Sequence, residues 1–160
     1  MEILLLLVTL LPMLGALGVF LLSKASDDTR AYFSNIIVFI ETVLCLLLIV
    51  QVMKGNELYY QLDYICGLGL SLKIDGFRAL YALIASFMWL MTTVFTKEYL
   101  HHYKHKVRYM CFTLLTAGAT VGVFLSADLF TTFIYFEIMS TAQAYIFYYT
   151  IFYIIFQPKT

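Results

Sequence analysis

Charge is scarce in this chain of 160 residues: 12% are Asp, Glu, Lys or Arg, against 62% hydrophobic. A soluble domain carries roughly 25% charged residues to keep a polar surface. Half that share cannot clothe a globule of this size, so lipid must be the solvent for most of the surface. An excess of either sign is missing too. Ten basic and ten acidic residues give a net charge of zero, and nothing points to nucleic acid. Cysteine is limited to Cys45, Cys66 and Cys111, with no CxxC spacing, which fits small apolar filler better than a disulfide or a metal site. A nucleophile–base arrangement, a phosphate loop, an internal repeat and a low-complexity linker are all absent. The chain has no visible enzyme site of its own and no cofactor is expected. It reads as one integral membrane domain over residues 1–160.

What is present is apolar and long. Five stretches, Ile3–Leu22, Ala31–Met53, Gly76–Thr96, Tyr109–Ser126 and Asp128–Tyr149, alternate with polar punctuation. Each is near the roughly 20 residues a helix needs to cross ~30 Å of hydrocarbon. Lipid leaves no partner for free backbone groups, so the spans are expected to be helices. The predicted fold class is an all-α membrane protein. Ser23-Lys24-Ala25 has the small-x-small pattern of a cleavage site, but Glu2 replaces a basic n-region and the apolar core is too long. Retention of the first span is expected, with a kink at Pro12.

Lysine and arginine set the orientation. Lys24 and Arg30 follow span one, and Lys97, Lys104, Lys106 and Arg108 follow span three. Lys54, Lys73 and Arg78 lie on the other side. The positive-inside rule then puts the 97–108 loop and the C-terminus in the cytoplasm, and the N-terminus and the 54–75 loop outside. Within that outer loop Leu70, Leu72 and Ile74 alternate with polar residues, the period of a strand. Gly67 and Gly69 fit a turn or bulge, and they lack the further glycine of a nucleotide fingerprint. A short β-hairpin between helices two and three is expected.

Two acids fall inside spans. Glu137 lies nine residues after Asp128, about 14 Å deep at 1.5 Å per residue. It shares a helical face with Ser140 and Thr141, a polar stripe that should turn toward protein or water. Intramembrane acids cost roughly 2.5–3.5 kcal/mol on the lenient insertion scale, so Glu137 is the first candidate for proton or ion handling. The bland alternative is a hydrogen-bonded carboxyl that only helps helices associate. Glu41 lies about 15 Å into the second span on the less polar face of Ser34, Val38 and Cys45. Function and packing are evenly balanced there, so it stands as a possible accessory proton site. His101 and His105 are at i, i+4, but lysines crowd them, and a solvated basic loop is the better reading. Gly118 and Gly122 form GxxxG beside Ala117 and Ala119, a close-packing face. Seven aromatics between Tyr145 and Phe156 read as an interfacial belt.

The stretches "LKIDGFRALYALIASFMWLMTTVF" and "KEYLHHYKHKVRYMCFTLLTAGATVGVFLSADLFTTFIYFEIMS" put these features in a fixed order. An Asp-Gly opens a helix; a basic loop, a small-residue helix, a short outer turn and a glutamate-bearing helix follow. The chain resembles the antiporter-like membrane subunits of respiratory complex I, energy-converting hydrogenases and Mrp-type cation/proton antiporters, over roughly Leu58 to Thr141. The resemblance implies a proton- or cation/proton-translocating subunit of a prokaryotic plasma membrane, with other subunits of such an assembly as partners. It implies that Glu137 works with a lysine on a seventh helix. That helix and the second of two inverted five-helix repeats have no counterpart here. The chain is therefore expected to correspond to the N-terminal third of such a protein and not to act alone. An ionised Glu137 without a cationic partner would bear the desolvation cost by itself. The competing reading is a non-transporting structural or assembly subunit, or a non-functional truncated product.

Overall fold

The computed structural model describes residues 3–55, 58–62, 69–99 and 106–156. Five helices follow one another: α1 (Ile3–Leu21), α2 (Asp27–Met53), α3 (Gly76–Tyr99), α4 (Lys106–Leu125) and α5 (Leu129–Phe156). A 3-10 turn at Leu22–Lys24 joins the first two, and strands β1 (Leu58–Leu62) and β2 (Leu70–Ile74) lie between α2 and α3. Helices α1 to α4 are each long and apolar enough to cross a membrane. At 28 residues α5 has the length, but Glu137, Ser140, Thr141 and Gln143 dilute its apolar middle.

Capping explains where the helices begin. α2 starts at Asp27 rather than at the expected Ala31, because the Ser26 hydroxyl accepts from the Thr29 amide at 3.2 Å. Asp27 and Asp28 then suit the positive end of the helix dipole. Asp75 caps α3 by accepting from the Arg78 amide at 2.9 Å. Asp128 caps α5 by accepting from the Thr131 amide at 2.6 Å. At the end of α2, Gly55 takes φ 80°, the left-handed turn that glycine adopts at little cost. α3, α4 and α5 extend beyond the apolar windows, to Tyr99, back to Lys106 and on to Phe156. Hydropathy delimits the lipid-compatible part of a helix, while backbone hydrogen bonding sets its full length.

The expected hairpin is present, with β1 and β2 antiparallel and Leu58 opposite Ile74 and Leu62 opposite Leu70. Gly69, just before β2, has φ 79°. Gly67 and Cys66 lie outside the described residues. The hairpin does more than lie across one face. Leu72 and Ile74 are fully buried in a cluster with Leu5, Leu48, Ala79 and Leu125. Ser71 is buried as well, because it ties the hairpin to the α4–α5 turn. Its amide donates to Thr131 Oγ1 at 2.9 Å, its carbonyl accepts from the Ala127 amide at 2.9 Å, and its hydroxyl meets the Asp128 carboxylate.

α4 is the centre of the bundle and packs against each of the other four helices. The two glycines of its close-packing face serve different neighbours. A Cβ on Gly118 would fall 2.7 Å from the Thr9 carbonyl oxygen and from Pro12 of α1. One on Gly122 would fall 2.5 Å from the Tyr135 ring of α5. Tyr135 completes the clasp by donating its hydroxyl to Thr9 Oγ1 at 3.2 Å. A second apolar cluster, with Val19, Val38, Met110 and Leu114, fills the opposite end of the bundle.

Candidate functional site

Glu41 stands near the middle of α2, between the two apolar clusters: Val38, one turn before it, belongs to one, and Cys45, one turn after it, to the other. Ser34, Val38, Glu41 and Cys45 are all buried, so the face expected from the sequence is the one turned into the bundle. Glu41 is 0% exposed, and neither carboxyl oxygen has a hydrogen-bond partner among the described residues. Beside it the Thr42 hydroxyl lies 2.9 Å from the Val38 carbonyl oxygen and 3.3 Å from that of Ser86 on α3.

Toward the end of the bundle that carries Lys106, the same helices enclose a void of about 10 Å³ lined by Ala31, Ser34, Thr93, Thr96, Met110 and Thr113. That is about the room one water centre needs. Its four hydroxyls each donate to a backbone carbonyl of their own helix, at 2.8 to 2.9 Å. Their oxygens therefore remain able to accept. Ser34 lies seven residues before Glu41, about 10 Å along the helix axis.

Glu137 is placed differently. α5 packs on α4 through Tyr135 and touches β2, and Glu137 points away from that contact. It is exposed, as are Phe133, Phe136, Ser140 and Thr141. Among the described residues no hydrogen bond or ion pair reaches it. The polar stripe predicted for this helix is present, but it looks outward from the five-helix bundle. Alongside runs an open groove of about 820 Å³, to which Trp89 and Thr92 of α3, Tyr109 of α4, and Ser140 and Gln143 of α5 contribute. The two acids thus stand on different helices, one sealed inside and one uncovered.

The basic end of the bundle holds contacts the sequence did not disclose. Arg30 is 7% exposed, donates to the Ser23 carbonyl at 2.6 Å and pairs with Asp27. Lys106 reaches the same Asp27 at 2.8 Å, tying the start of α4 to the start of α2. Asp27 four residues ahead of the apolar run was the available signal. His101, His102 and His105 lie outside the described residues, and Cys45 and Cys111 are free thiols.

This arrangement has relatives. The chain is 23% identical over 133 residues to a probable K(+)/H(+) antiporter subunit of Rhizobium meliloti (strain 1021), a match covering 82% of this chain and 13% of that protein. It is 28% identical over 97 residues to a Na(+)/H(+) antiporter subunit of Staphylococcus aureus (strain bovine RF122 / ET3-1), covering 59% of this chain and 12% of that one. The fold matches a chain of the membrane-bound sulfane sulfur reductase, an archaeal respiratory membrane complex, with a TM-score of 0.71 at 21% identity, over 89% of this chain and 29% of the other. By sequence the likeness is to antiporter subunits, and by fold to a chain of a respiratory membrane complex. No family model matches the chain. The antiporter-like match is partial on the other side, since the chain spans about an eighth of the length of the curated relatives it matches.

Proposed function

We propose that this antiporter-like chain contributes to proton or cation/proton translocation within a larger membrane assembly, of a complex I-like, hydrogenase-like or Mrp-like kind. The observation that carries this reading is the uncovered Glu137 with Ser140 and Thr141 on the outer face of α5, beside a largely apolar groove to which Thr92, Ser140 and Gln143 add polar groups. A carboxyl facing lipid near mid-membrane is costly, and such groups almost always face protein or a water-filled cavity. The open face of α5 is therefore where a further helix docks, and a cationic residue on that helix would pair with the Glu137 carboxylate. Glu41 serves as an accessory site. Its orphaned oxygens and the small hydroxyl-lined void two turns away favour a proton relay over packing, because packing alone is better done by an apolar side chain.

The test is proton pumping by vesicles that hold the complete assembly. Glu137→Gln keeps shape and hydrogen bonding while removing titration, so insertion and assembly persist and coupled transfer is lost. Full pumping by that variant would reduce Glu137 to a packing residue. The orientation that goes with this reading puts the basic end in the cytoplasm. A Lys104→Cys variant in intact cells is then protected from an impermeant thiol reagent, and ready labelling would invert the topology.

A further inference from the structure

A second groove lies on the opposite flank, between α1, α4 and α5, with a volume of about 650 Å³. Its walls are apolar: Leu10, Leu14, Leu17 and Phe20 from α1, with Phe112 and Leu115 from α4. Leu14, Leu17 and Phe20 are more than 60% exposed, so among the described residues nothing covers the α1 wall. From Leu10 to Phe20 is ten residues, about 15 Å of helix, or half of a ~30 Å hydrocarbon core. The groove thus spans one leaflet.

Its polar groups gather at one end. Arg108, in the first turn of α4, lines the groove there with Tyr145 of α5. The guanidinium donates to the Tyr145 hydroxyl at 3.4 Å, and the Tyr145 ring is packed on Phe112 with centroids 4.3 Å apart. An exposed arginine beside a fixed phenol, at the membrane-surface end of a chain-length apolar slot, matches the two parts of a phospholipid. Guanidinium forks match phosphate oxygens bidentately, and basic pockets between membrane helices bind anionic head groups. A partner helix would also fit the apolar walls, but an apolar helix face makes no use of a cation at the mouth of the slot.

We infer that the groove between α1, α4 and α5 binds an anionic phospholipid, with its phosphate at Arg108 and Tyr145 and an acyl chain along α1. This site is separate from both glutamates and does not depend on transport. The experiment follows thermal unfolding of the full chain in mild detergent with phosphatidylglycerol or phosphatidylcholine added at equal amounts. Phosphatidylglycerol should raise the midpoint more than phosphatidylcholine does. Arg108→Gln should erase that difference, while Lys24→Gln, an exposed basic residue outside the groove, should keep it. Leu17→Trp, which fills the slot, should lower the gain from either lipid. Equal stabilisation by the two lipids, or equal loss in the Arg108 and Lys24 variants, would mean a diffuse basic surface and overturn the site. A complete assembly that retains no anionic lipid dependent on Arg108 would instead assign the groove to a partner helix.

Discussion

Glu41 and Glu137 are the same side chain at similar depth, and the fold treats them in opposite ways. Glu41 is enclosed by α2 and its neighbours with neither oxygen paired among the described residues, whereas Glu137 is held on the outer face of α5. The difference follows from the number of helices packed on each element. α2 is flanked by α1, α3 and α4, while α5 leans on α4 and the hairpin. On our proposal, a mid-membrane acid on a surrounded helix is a complete internal site. On α5, packed along one side by α4 and reaching α1 through Tyr135, our proposal makes the outward-facing acid half of a site whose other half lies on whatever covers it. Exposure, which in a soluble protein would make a glutamate unremarkable, is on our proposal the mark of an unfinished interface.

The sharpest way to break this comparison is transport. In the complete assembly, Glu137→Gln should abolish proton pumping, and Glu41→Gln should slow it without abolishing it, since an accessory relay can be bypassed by water. Equal losses in the two variants would remove the distinction between a principal and an accessory acid. The next largest effect is on packing. Gly118→Leu and Gly122→Leu should each destabilise the bundle by about 3 kcal/mol or more, because overpacking a close contact typically costs 1–3 kcal/mol and these contacts involve backbone and a clasped ring. They should fail in separate ways. The Gly118 variant should loosen α1 and the Gly122 variant α5, readable as proteolytic sensitivity in different helices.

How much of this was legible beforehand depended on the kind of interaction. The helices, the hairpin and both glutamates could be read because hydropathy and period are local properties of the chain. The face carrying Glu137 was also legible, since Ser140 and Thr141 lie on it by helical spacing. Its direction was not, because direction depends on which helix packs against Tyr135 and Gly122. Neither could the sequence tell that Glu41 would be the enclosed acid; Ser34, Val38 and Cys45 look as suited to lipid as to a core. The split use of Gly118 and Gly122 needed tertiary structure for the same reason: GxxxG announces close approach, not the identity of the approaching helix. Asp128 was read as the start of a span, and its second role as a tie to Ser71 of the hairpin joins residues 57 apart.

A subtler test sets stability against function at Glu41. A buried polar group left without partners costs about 1–3 kcal/mol, so Glu41→Leu should stabilise the isolated chain by about that amount. The same substitution should reduce pumping in the assembly. A gain in stability with a loss of activity is what a functional group costly to the fold produces, since removing it relieves the fold and removes the function. Thermal unfolding of the chain and pumping by the assembly are the paired measurements. A destabilised Glu41→Leu variant would show that the carboxyl contributes to packing, and would move Glu41 to the structural side of the comparison.

The smallest expected effect lies at the basic end, where Lys106 bonds Asp27 at 2.8 Å across the starts of α4 and α2. The pair is part-exposed, with Lys106 at 22% and Asp27 at 49%, and exposed pairs contribute about 0–1 kcal/mol. Lys106→Gln should therefore lower stability by less than about 1 kcal/mol, and added salt should shrink the gap further by screening. Arg30→Gln is the informative partner, since Arg30 is itself buried and holds both the Ser23 carbonyl and Asp27, so its removal loses a packed side chain and two contacts at once. That loss should exceed the Lys106 loss and persist in high salt. Should both variants respond alike to salt, the turn between α1 and α2 would be held by surface charge. Should only Lys106→Gln respond, it is held by the contacts of the buried Arg30 side chain, and the first two helices enter the bundle as a fixed pair.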